Sequence, residues 1–348
     1  IQYDEKSMKV LYAIQSTGNG HISRAKELIP YLERRFQFDV ILSGPKTQLD
    51  LGYPIKKHYR GLTLIFNKKG GIDWFKTLFK NNLWQFLSDV IQLRTQQYDL
   101  IISDFEPISA WSCKLKAGLC FGLSNQISLW QKGVPKPKKK FRASIQYLKW
   151  FAPAKIEYGL HYLKFNSKIF YPIIRSQVKK LVPSQGMGIV VYLPAYEEKN
   201  ILEITQKISH INWHIFTPHR NHEAKIGSSN LHPISEKVFL KYMGAADGVI
   251  TNAGFTTTAE ALYLNKPLLA IPMKGQIEQS YNAAALKKIG VPVLKNFSRK
   301  QLTNIEQWLR SPRAIQLEFE DELSHLVDQM AIDFIKYKFA KAPLSHLN

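Results

Sequence analysis

Short apolar runs alternate with longer amphipathic stretches from Lys9 onward, which is the pattern of a parallel sheet covered by helices. In the first half of the chain the apolar runs predict strands at 10–14, 39–42, 63–66, 100–103 and 119–123. The amphipathic stretches predict helices at 23–35, 73–97 and 107–116. We therefore expect one doubly wound α/β unit in this half.

The same alternation resumes after Pro183 and Gly186, which mark a boundary. It predicts strands at 188–192, 213–216, 248–251, 268–271 and 291–294, and helices at 197–209, 235–245, 257–264, 276–288, 299–309 and 314–338. The fold class is thus α/β with two Rossmann-like doubly wound domains, which suits a length of 348 residues. We expect an N-terminal domain over 8–182, a C-terminal domain over 187–313 and a closing helical segment over 314–340.

Net charge separates this chain from an ordinary globular protein. Hydrophobic residues make up 45% of it, but 48 Lys and Arg against 27 Asp and Glu give a net charge of +21. Such an excess argues for an anionic partner: nucleic acid, a phosphorylated ligand or a membrane surface. Two cysteines, Cys113 and Cys120, fit a reducing compartment. Because residues 1–7 lack a signal-peptide core and no apolar run is long enough to cross a bilayer, we expect a cytoplasmic protein starting near Met8.

The segment 131–180 carries more than half of this net charge, since it holds 13 Lys or Arg and one acid, Glu157. Nine aromatic residues are interleaved with the bases: Phe141, Tyr147, Trp150, Phe151, Tyr158, Tyr162, Phe165, Phe170 and Tyr171. A solvated face explains scattered lysines, single-stranded nucleic acid would also suit bases with aromatics, and amphipathic helices of this composition lie on anionic bilayers. Because no nucleic-acid-reading module occurs, we expect no nucleic acid and predict attachment to the inner face of the cell membrane through residues 134–174.

A glycine turn follows the first predicted strand, with the sequence Gln-Ser-Thr-Gly-Asn-Gly-His-Ile-Ser-Arg-Ala over 15–25. Backbone amides at such a helix start favour an anion or a polar ligand oxygen, so Gly18, Asn19 and Gly20 are candidate binding residues. A dinucleotide fingerprint would need a third glycine where Ser23 stands, which disfavours NAD. The positive end of the helix dipole favours the neutral form of an imidazole at such a place, so His21 is either a general base or a capping residue.

A second glycine turn, Asn-Ala-Gly-Phe-Thr-Thr-Thr-Ala-Glu over 252–260, follows a buried strand. Helix-start amides with threonine hydroxyls form a cradle for a diphosphate, and Glu260 one turn later can accept hydrogen bonds from two ribose hydroxyls. Gln276 and Gln279 share one face of a later helix start, where their amides either grip sugar hydroxyls or are solvated.

Polar side chains also follow two strands of the first half. Asp104 and Glu106 lie just past one predicted strand, and Asn125 and Gln126 follow the next, at the sheet edge where ligands of open α/β sheets bind. We expect Glu106, Asn125 and Gln126 on the acceptor side. Asp104 either orients His21 or caps the helix that begins at Pro107, with capping slightly favoured.

These motifs, in this order, resemble those of the GT-B glycosyltransferases, and most closely the MurG-like enzymes of glycosyltransferase family 28 and relatives with a Gly-x-Gly-His-x-x-Arg turn. The resemblance rests on three stretches, 18–25, 246–272 and 276–283. It implies two domains facing across a cleft, a last helix that returns to the first domain, and transfer of a sugar from a nucleotide-sugar, most simply a UDP-sugar, to a lipid-linked or envelope acceptor. The reaction is expected to be inverting and to require no cofactor or metal, with His21 and Asp104 as catalytic residues.

The resemblance also assigns the donor contacts. It implies that the nucleotide-sugar is held by these residues: Gly20, Ile234, Gly254, Phe255, Thr256, Thr257, Glu260, Lys274, Gln276, Glu278, Gln279 and Asn282. One departure is that a Gly-Gly-Ser phosphate turn is replaced by Leu-Pro-Ala-Tyr over 193–196, for which Lys274, Thr217 or Arg220 would have to compensate. The rival interpretations are a nucleotide-sugar epimerase of similar layout, a sugar-nucleotide sensor without catalysis, and a basic nucleic-acid-binding protein.

Overall fold

The computed structural model describes residues 5–45, 50–62, 82–138 and 141–341. Within them the N-terminal half forms a parallel sheet with the strand order β3-β2-β1-β4-β5-β6-β7. Its strands are β1 (Lys9–Gln15), β2 (Gln37–Ser43), β3 (Lys57–Tyr59), β4 (Leu100–Asp104), β5 (Cys120–Ser124), β6 (Ile156–Leu160) and β7 (Ile169–Phe170). The predicted strand 63–66 and the first part of the predicted helix 73–97 lie outside the described residues.

Helices cover both faces of this sheet. They are α1 (Asn19–Arg35), α2 (Leu83–Gln92), α3 (Pro107–Leu115), α4 (Asn125–Ser128), α5 (Arg142–Phe151) and α6 (Ser176–Lys179). Alternate residues of β1 enter two different apolar clusters, with Val10, Tyr12 and Ile14 in one and Leu11 and Ala13 in the other. Because a strand points successive side chains to opposite faces, this division shows that the sheet is packed on both sides.

The C-terminal half forms a second sheet, with the described strand order β10-β11-β9-β8-β12-β13. Its strands are β8 (Ile189–Tyr192), β9 (Trp213–Thr217), β10 (Ala224–Ile226), β11 (Ser229–Pro233), β12 (Gly248–Thr251) and β13 (Leu268–Ala270). Its helices are α7 (Glu198–Thr205), α8 (Glu236–Ala245), α9 (Phe255–Tyr263), α10 (Ile277–Lys288) and α11 (Leu302–Arg310), and α12 (Leu323–Lys341) follows. The pairing is parallel except for the hairpin of β10 and β11. The α/β class with two Rossmann-like sheets is therefore confirmed.

The sequence pattern failed where elements are short or polar. The predicted strand 291–294 is reduced to a single bridge between Ala270 and Val293. Five strands were not predicted, namely β3, β6, β7, β10 and β11, because β7 has only two residues and the other runs of three to five residues include lysines or polar side chains, so none gives a clear alternation. The last helix begins at Leu323, not at 314, and residues 312–322 run without regular structure.

The aromatic part of the membrane prediction for 134–174 is wrong. Two strands, β6 and β7, run through this segment and extend the first sheet. Their aromatic neighbours are core residues, since Phe151, Tyr158, Tyr162 and Phe170 are at most 3% exposed. Of the nine aromatics in the segment, Trp150 is the one with an exposed side chain. Alternation of bases with buried aromatics is therefore a strand and core signal here, which the helical interpretation missed.

The bases of this segment divide into two groups. Four of them pair with acids elsewhere: Lys164 with Glu322, Lys168 with Asp333, Lys179 with Asp321, and Arg175 with Glu236 and Glu260. Three of these acids belong to the C-terminal segment, whose helix α12 packs on α1 and receives a 2.6 Å hydrogen bond from the Tyr158 hydroxyl at Asp333. Lys164, Lys168 and Lys179 thus join the C-terminal segment to the first sheet. The exposed bases that make none of these pairs are Lys132, Lys136, Lys138, Arg142, Lys149, Lys155 and Lys180.

A gap lies between the carboxyl ends of the two sheets, where β1 and β4 of the first meet the helix start after β12 of the second. The two sides come closest to contact at Gly20, where an added Cβ atom would lie 3.1 Å from the Thr256 hydroxyl oxygen. None of the described helices is long and apolar enough to cross a membrane.

Candidate active site between the two sheets

His21 lies in the first turn of α1, immediately after the glycine turn. Gly18 stands before the helix with φ 89°, a backbone conformation that favours glycine. The imidazole is buried, and its Nδ1 lies 2.7 Å from Oδ1 of Asp104. When Nδ1 carries the proton and donates it to this carboxylate, Nε2 is the nitrogen that can accept another proton. The arrangement is that of a general base oriented by an acid.

Asp104 and the residues after it turn away from one another. Phe105 has φ 54°, which is uncommon for a bulky residue and lets the neighbouring side chains diverge. Glu106, not Asp104, caps α3, because its carboxylate accepts the backbone N–H groups of Ile108 and Ser109 at 2.7 Å each. The preference for Asp104 as the cap was therefore wrong. Glu106 is fully buried in this capping role, and the structure does not turn it toward an acceptor.

Arg24 completes the buried cluster around Asp104. Its Nε donates to Oδ2 of Asp104 at 2.9 Å, and its Nη2 contacts Oδ1 of the same carboxylate and lies 2.9 Å from His21 Nδ1. The Tyr12 hydroxyl is 3.4 Å from the carboxylate. Burial alone would raise the pKa of Asp104, but the charge of Arg24 and the hydrogen bonds from the His21 imidazole and Arg24 outweigh burial and hold the pKa below its ordinary value. Asp104 therefore stays ionised beside the imidazole.

The second glycine turn faces this cluster across the gap. Gly254 precedes α9, and an added Cβ would meet nothing within 4 Å, so the turn borders open space. Thr256 and Thr257 line a cavity at this helix start. Thr258 does not: its hydroxyl is buried and lies 2.6 Å from the Tyr162 hydroxyl. Phe255 also turns inward, where its ring packs on that of Tyr162 at 5.1 Å. Two of the three threonines thus remain available to a ligand.

Glu260, the predicted ribose ligand, has a protein partner in this structure. Arg175 donates to its two oxygens at 2.5 and 2.6 Å and also pairs with Glu236. Burial would lower the pKa of Arg175, but Glu260 and then Glu236 raise it above its ordinary value. Burial raises the pKa of Glu260, and Arg175 opposes that rise. The Glu260 carboxylate is buried behind Arg175, which lines the cavity beside this ion pair, so a ribose would have to replace Arg175 to reach it.

A cavity of about 240 Å³ opens beside this ion pair. Asn19, Gly20 and Ser23 of the first sheet's side line it together with Arg175, Thr256, Thr257 and Glu236. Its remaining wall is mostly apolar and comes from the second sheet and α8: Tyr192, Phe216, Ile234, Ser235 and Phe239. Ile234, which was predicted to contact the donor base, directly follows β11 and lines this cavity. A flat apolar ring fits the aromatic wall, and an anion fits the helix start and Arg175.

Several predicted donor residues make contacts within the protein. The Gln279 Oε1 accepts the backbone N–H of Met273 at 2.9 Å, and the Asn282 amide donates to the Ala253 carbonyl at 3.0 Å, so both brace the loops beside the cavity. Gln276 precedes α10 with a buried Oε1 that has no hydrogen-bond partner among the described residues. Lys274 is exposed and is absent from the cavity lining. Arg220 is taken by a bidentate pair with Glu198.

Glu278 contacts the first sheet's side of the gap. The Asn125 amide donates to one carboxylate oxygen at 2.9 Å and the Gln126 amide to the other at 3.0 Å. Residues expected on the acceptor side and on the donor side therefore bind each other here.

Two arginines of this site were not predicted as functional residues. Arg24 stands in the glycine-turn motif without an assigned role, although its three-residue spacing from His21 on a helix indicates a shared face. Arg175 is one of 13 bases in its segment, and no local pattern distinguishes it. Among the described residues, no three His, Cys, Asp or Glu side chains come together as a possible metal site.

Known proteins of this architecture include sugar-transferring enzymes. The solved structures that resemble the chain include UGT2 of Phytolacca americana in complex with UDP-2-fluoro-glucose and pterostilbene, at 14% identity and TM-score 0.56, with 95% of this chain and 94% of that one covered. MurG of Acinetobacter baumannii matches at 14% identity and TM-score 0.51, with 94% and 95% covered. A UDP-N-acetylglucosamine 2-epimerase matches at 11% identity and TM-score 0.60, with 95% and 98% covered. At these identities the likeness is one of fold.

Sequence comparison is more decisive. No curated protein matches the chain. The family model described as glycosyl transferase family 1 matches residues 8–311, a span that contains both sheets, the two glycine turns and the gap between them. The chain belongs to glycosyl transferase family 1 and is a glycosyltransferase of the GT-B fold.

Proposed function

We propose that the protein transfers a hexose from a nucleotide-sugar, most simply a UDP-sugar, to a hydroxyl of a lipid-linked or envelope glycan acceptor, with inversion at the anomeric carbon. The observation that carries this proposal is that His21, paired with Asp104, lies in the helix turn whose Asn19, Gly20 and Ser23 line one side of a cavity, while the helix start at Thr256 lines the other side. The turn that carries the base and an anion cradle therefore meet at a space that takes a ligand.

His21 acts on the acceptor. Its Nε2 removes the proton of the acceptor hydroxyl as the oxygen attacks the anomeric carbon from the side opposite the leaving group. The bond from that carbon to the diphosphate oxygen breaks, and the nucleoside diphosphate leaves with the electron pair. Asp104, ionised and 2.7 Å from Nδ1, stabilises the imidazolium that forms.

The leaving diphosphate is held by fixed positive groups. The amides at the start of α9 and the hydroxyls of Thr256 and Thr257 supply hydrogen-bond donors, and Arg175 supplies a full charge at the same cavity. Arg175 thereby takes the place of the absent Gly-Gly-Ser turn. Such donors stabilise the leaving group without a metal ion, so we propose a metal-independent reaction.

The other donor groups follow from the cavity walls. The nucleobase of the donor lies against Phe216, Phe239 and Ile234, and the backbone near Ile234 forms hydrogen bonds with the edge of the nucleobase. The ribose hydroxyls bind Glu260 once Arg175 has turned to the diphosphate. Gln276, with its buried unpartnered oxygen, contacts the sugar, and the acceptor enters on the side of Asn19 and Gly18.

A ligand screen followed by product analysis tests this function. We expect nucleoside diphosphates and their sugars to raise the melting temperature in proportion to ln(1 + [L]/Kd), with uridine compounds first. The best nucleotide-sugar is then incubated with lipid-linked acceptors in the presence and absence of EDTA, and the anomeric configuration of the product is determined by NMR. Retention at the anomeric carbon, or transfer abolished by EDTA and restored by Mg²⁺, contradicts the mechanism. A C2-epimerised donor formed without acceptor contradicts the transferase and supports an epimerase.

An apolar surface on the first half supports a membrane-bound acceptor, at a place that overlaps the predicted segment 134–174 only through α5. Helices α2, α3 and α5 cover the same sheet face, and their outer sides expose large apolar residues. We call this the apolar helix face: Leu83, Trp84, Leu87, Ile91, Leu115 and Trp150. Trp84 is 84% exposed, which is unusual for its size. Exposed Lys114, Arg142 and Lys149 lie on the same helices, so the surface combines insertion into a bilayer with attraction to anionic lipid.

Vesicle flotation tests this attachment. We expect binding to vesicles of phosphatidylcholine with phosphatidylglycerol and little binding to phosphatidylcholine alone. The Trp84→Ser/Leu87→Ser variant should lose most of the binding. A matched control is Ile332→Ser, which removes an apolar residue that is 45% exposed on α12, away from the apolar helix face. Equal flotation of both variants contradicts this surface, and binding indifferent to lipid charge contradicts the role of the bases.

A further inference from the structure

The carboxylate of Glu278 is bound by two amides from the opposite side of the gap. Asn125 donates to Oε1 at 2.9 Å and Gln126 to Oε2 at 3.0 Å. The amides come from α4, directly after β5 of the first sheet, whereas Glu278 lies in the first turn of α10 beside the second sheet. The contact therefore joins the two halves of the molecule at the site itself.

The orientation of Gln126 shows that this contact is demanding. Gln126 is 9% exposed, and its Oε1 is buried without a hydrogen-bond partner among the described residues. An unsatisfied buried acceptor destabilises a fold, so some gain must offset it. Exchanging the amide oxygen and nitrogen of Gln126 would place this oxygen against the Glu278 carboxylate, where two acceptors face each other. The hydrogen bond from the Gln126 amide to the charged Glu278 carboxylate is the stabilising contact that offsets the unsatisfied oxygen.

The same contact reaches the catalytic cluster. Asn125 uses its Oδ1 to accept from Nη1 of Arg24 at 3.4 Å, and Arg24 in turn binds Asp104 and His21. Burial lowers the pKa of Arg24, but Asp104 and, more weakly, Glu278 raise it above its ordinary value. A chain of polar contacts thus runs from the donor-side helix through Asn125 to the base.

We propose that Asn125 and Gln126 are positioning residues that clamp Glu278, so that closing of the gap and seating of His21 are coupled. Glu278 then serves as the interdomain contact, and not chiefly as a ligand of the donor sugar. This inference rests on the proposed function, because it concerns the geometry in which His21 meets the anomeric carbon.

Reversing the roles of the two partners tests the proposal. Asn125→Asp places two carboxylates face to face and should lower kcat by roughly 100-fold, and Glu278→Gln should lower it by roughly 10-fold, with the donor KM within about 3-fold of wild type. In the Asn125→Asp/Glu278→Gln variant the side-chain amide at position 278 donates to the carboxylate at position 125, and its oxygen still accepts from Gln126. We expect it to return to within about 5-fold of the wild-type kcat.

Other outcomes overturn the clamp. If Glu278 mainly grips the sugar, Glu278→Gln raises the donor KM, and the combined variant is at least as impaired as either single one. Glu318→Gln, which removes an exposed carboxylate elsewhere, is the control and should match wild type. If the two residues had only a general structural role, the losses of kcat from the two single substitutions would add. Recovery of kcat in the combined variant therefore excludes such a role.

A distance measurement separates failure of the clamp from failure of the proposed function. Spin labels on Gln97→Cys and Lys207→Cys, both exposed and on opposite halves, report the gap in the donor-free protein, while Cys113 and Cys120 are buried. Asn125→Asp should broaden the distance distribution, and the combined variant should narrow it again. Identical distributions in all variants overturn the clamp, whether or not the protein transfers sugar. Absence of transfer with the expected distributions contradicts only the proposed function.

Discussion

The two glycine turns of this protein begin helices at the same gap, yet they differ in how complete they are without a ligand. At the first turn, His21, Arg24 and Asp104 satisfy one another at hydrogen-bonding distance and are buried. At the second turn, Thr256 and Thr257 border an open cavity, and the carboxylate proposed to bind a ribose is held by Arg175. The base is therefore preorganised, whereas the donor site must exchange partners.

This difference follows from what each turn has to do. A base is effective when its orientation and charge partner are set before the reaction, because reorganising them would add to the barrier. A binding site for a diphosphate needs strong positive charge, and a buried carboxylate such as Glu260 cannot stand unpaired while the site is empty. Arg175 meets both needs if it serves Glu260 first and the diphosphate afterwards.

Loss of the base should give the largest effect. His21→Ala is expected to lower kcat by roughly 10²- to 10⁴-fold while the Kd for UDP, measured by calorimetry, stays within about 3-fold. The reason is that the imidazole acts on the acceptor and the cavity on the nucleotide. His222→Ala, at an exposed histidine, is the control and should leave both values unchanged. Unchanged turnover in His21→Ala would remove the imidazole from the mechanism.

Loss of the acid that orients the base should cost both rate and stability. Asp104→Asn leaves Arg24 buried without its counter-ion, so we expect the free energy of unfolding to fall by ~3–5 kcal/mol and kcat by roughly 10²-fold. Because the folded-state pKa of Asp104 is lowered, its stabilisation is full above the ordinary aspartate pKa of about 3.9 and is lost as pH falls through the lower value.

Urea unfolding at several pH values checks this sign. The difference in unfolding free energy between wild type and Asp104→Asn should be constant near neutral pH and shrink below about pH 4. Asp50→Asn, an exposed aspartate, should show no such difference. A difference that grows on acidification would contradict the assignment of Asp104 as an ionised partner of Arg24.

The two turns also differ in how far the sequence could predict them. Both positions were predictable, because a glycine turn after an apolar strand is a local pattern. The sequence does not decide whether Asp104 orients His21 or caps the helix that begins at Pro107, and it wrongly favours the cap, because capping by Asp104 and capping by Glu106 look alike in sequence. The positive φ of Phe105, which sends the two acids in opposite directions, has no clear sequence signal. Local patterns therefore located the site but not its pairing.

Long-range pairing explains the remaining misses. Arg175 meets Glu260 across 85 residues and Glu278 meets Asn125 across 153, distances over which a single sequence gives no information. The aromatics of 131–180 were assigned to a membrane because β6 and β7 are short, whereas their burial depends on strands contributed by the whole first half. The α/β class was predicted correctly despite these errors, because it depends only on the alternation of apolar runs with amphipathic stretches.

Removing Arg175 should affect the donor more than the reaction step. Arg175→Met is expected to raise the donor KM roughly 10- to 100-fold, and to weaken UDP much more than uridine, because the lost charge faces the diphosphate. Lys179→Met, which removes a neighbouring base paired with Asp321, is the matched control. The Arg175→Met/Glu260→Gln variant decides between roles: recovery of UDP binding would mean that Arg175 only neutralises Glu260, and persistent loss would support the diphosphate contact.

The smallest effects are expected at Gly20 and Gly254, and these effects distinguish the roles of the two glycine turns. At Gly20 a methyl group would lie 3.1 Å from the Thr256 hydroxyl oxygen, so Gly20→Ala should push the halves apart by a few tenths of an ångström and lower kcat about 3- to 10-fold. At Gly254 the methyl group enters open space with an ordinary φ of −72°, so the melting temperature should be unchanged or slightly raised. If a diphosphate occupies that space, Gly254→Ala should raise the donor KM about 10-fold without changing the stability of the empty protein.

A second substitution at Thr256 separates the two glycines. Thr256→Ala should restore the kcat lost in Gly20→Ala and should not restore the donor KM of Gly254→Ala, because only the methyl group at Gly20 meets the Thr256 hydroxyl. Equal responses of the two glycine variants would contradict the different roles that we assign to the two turns.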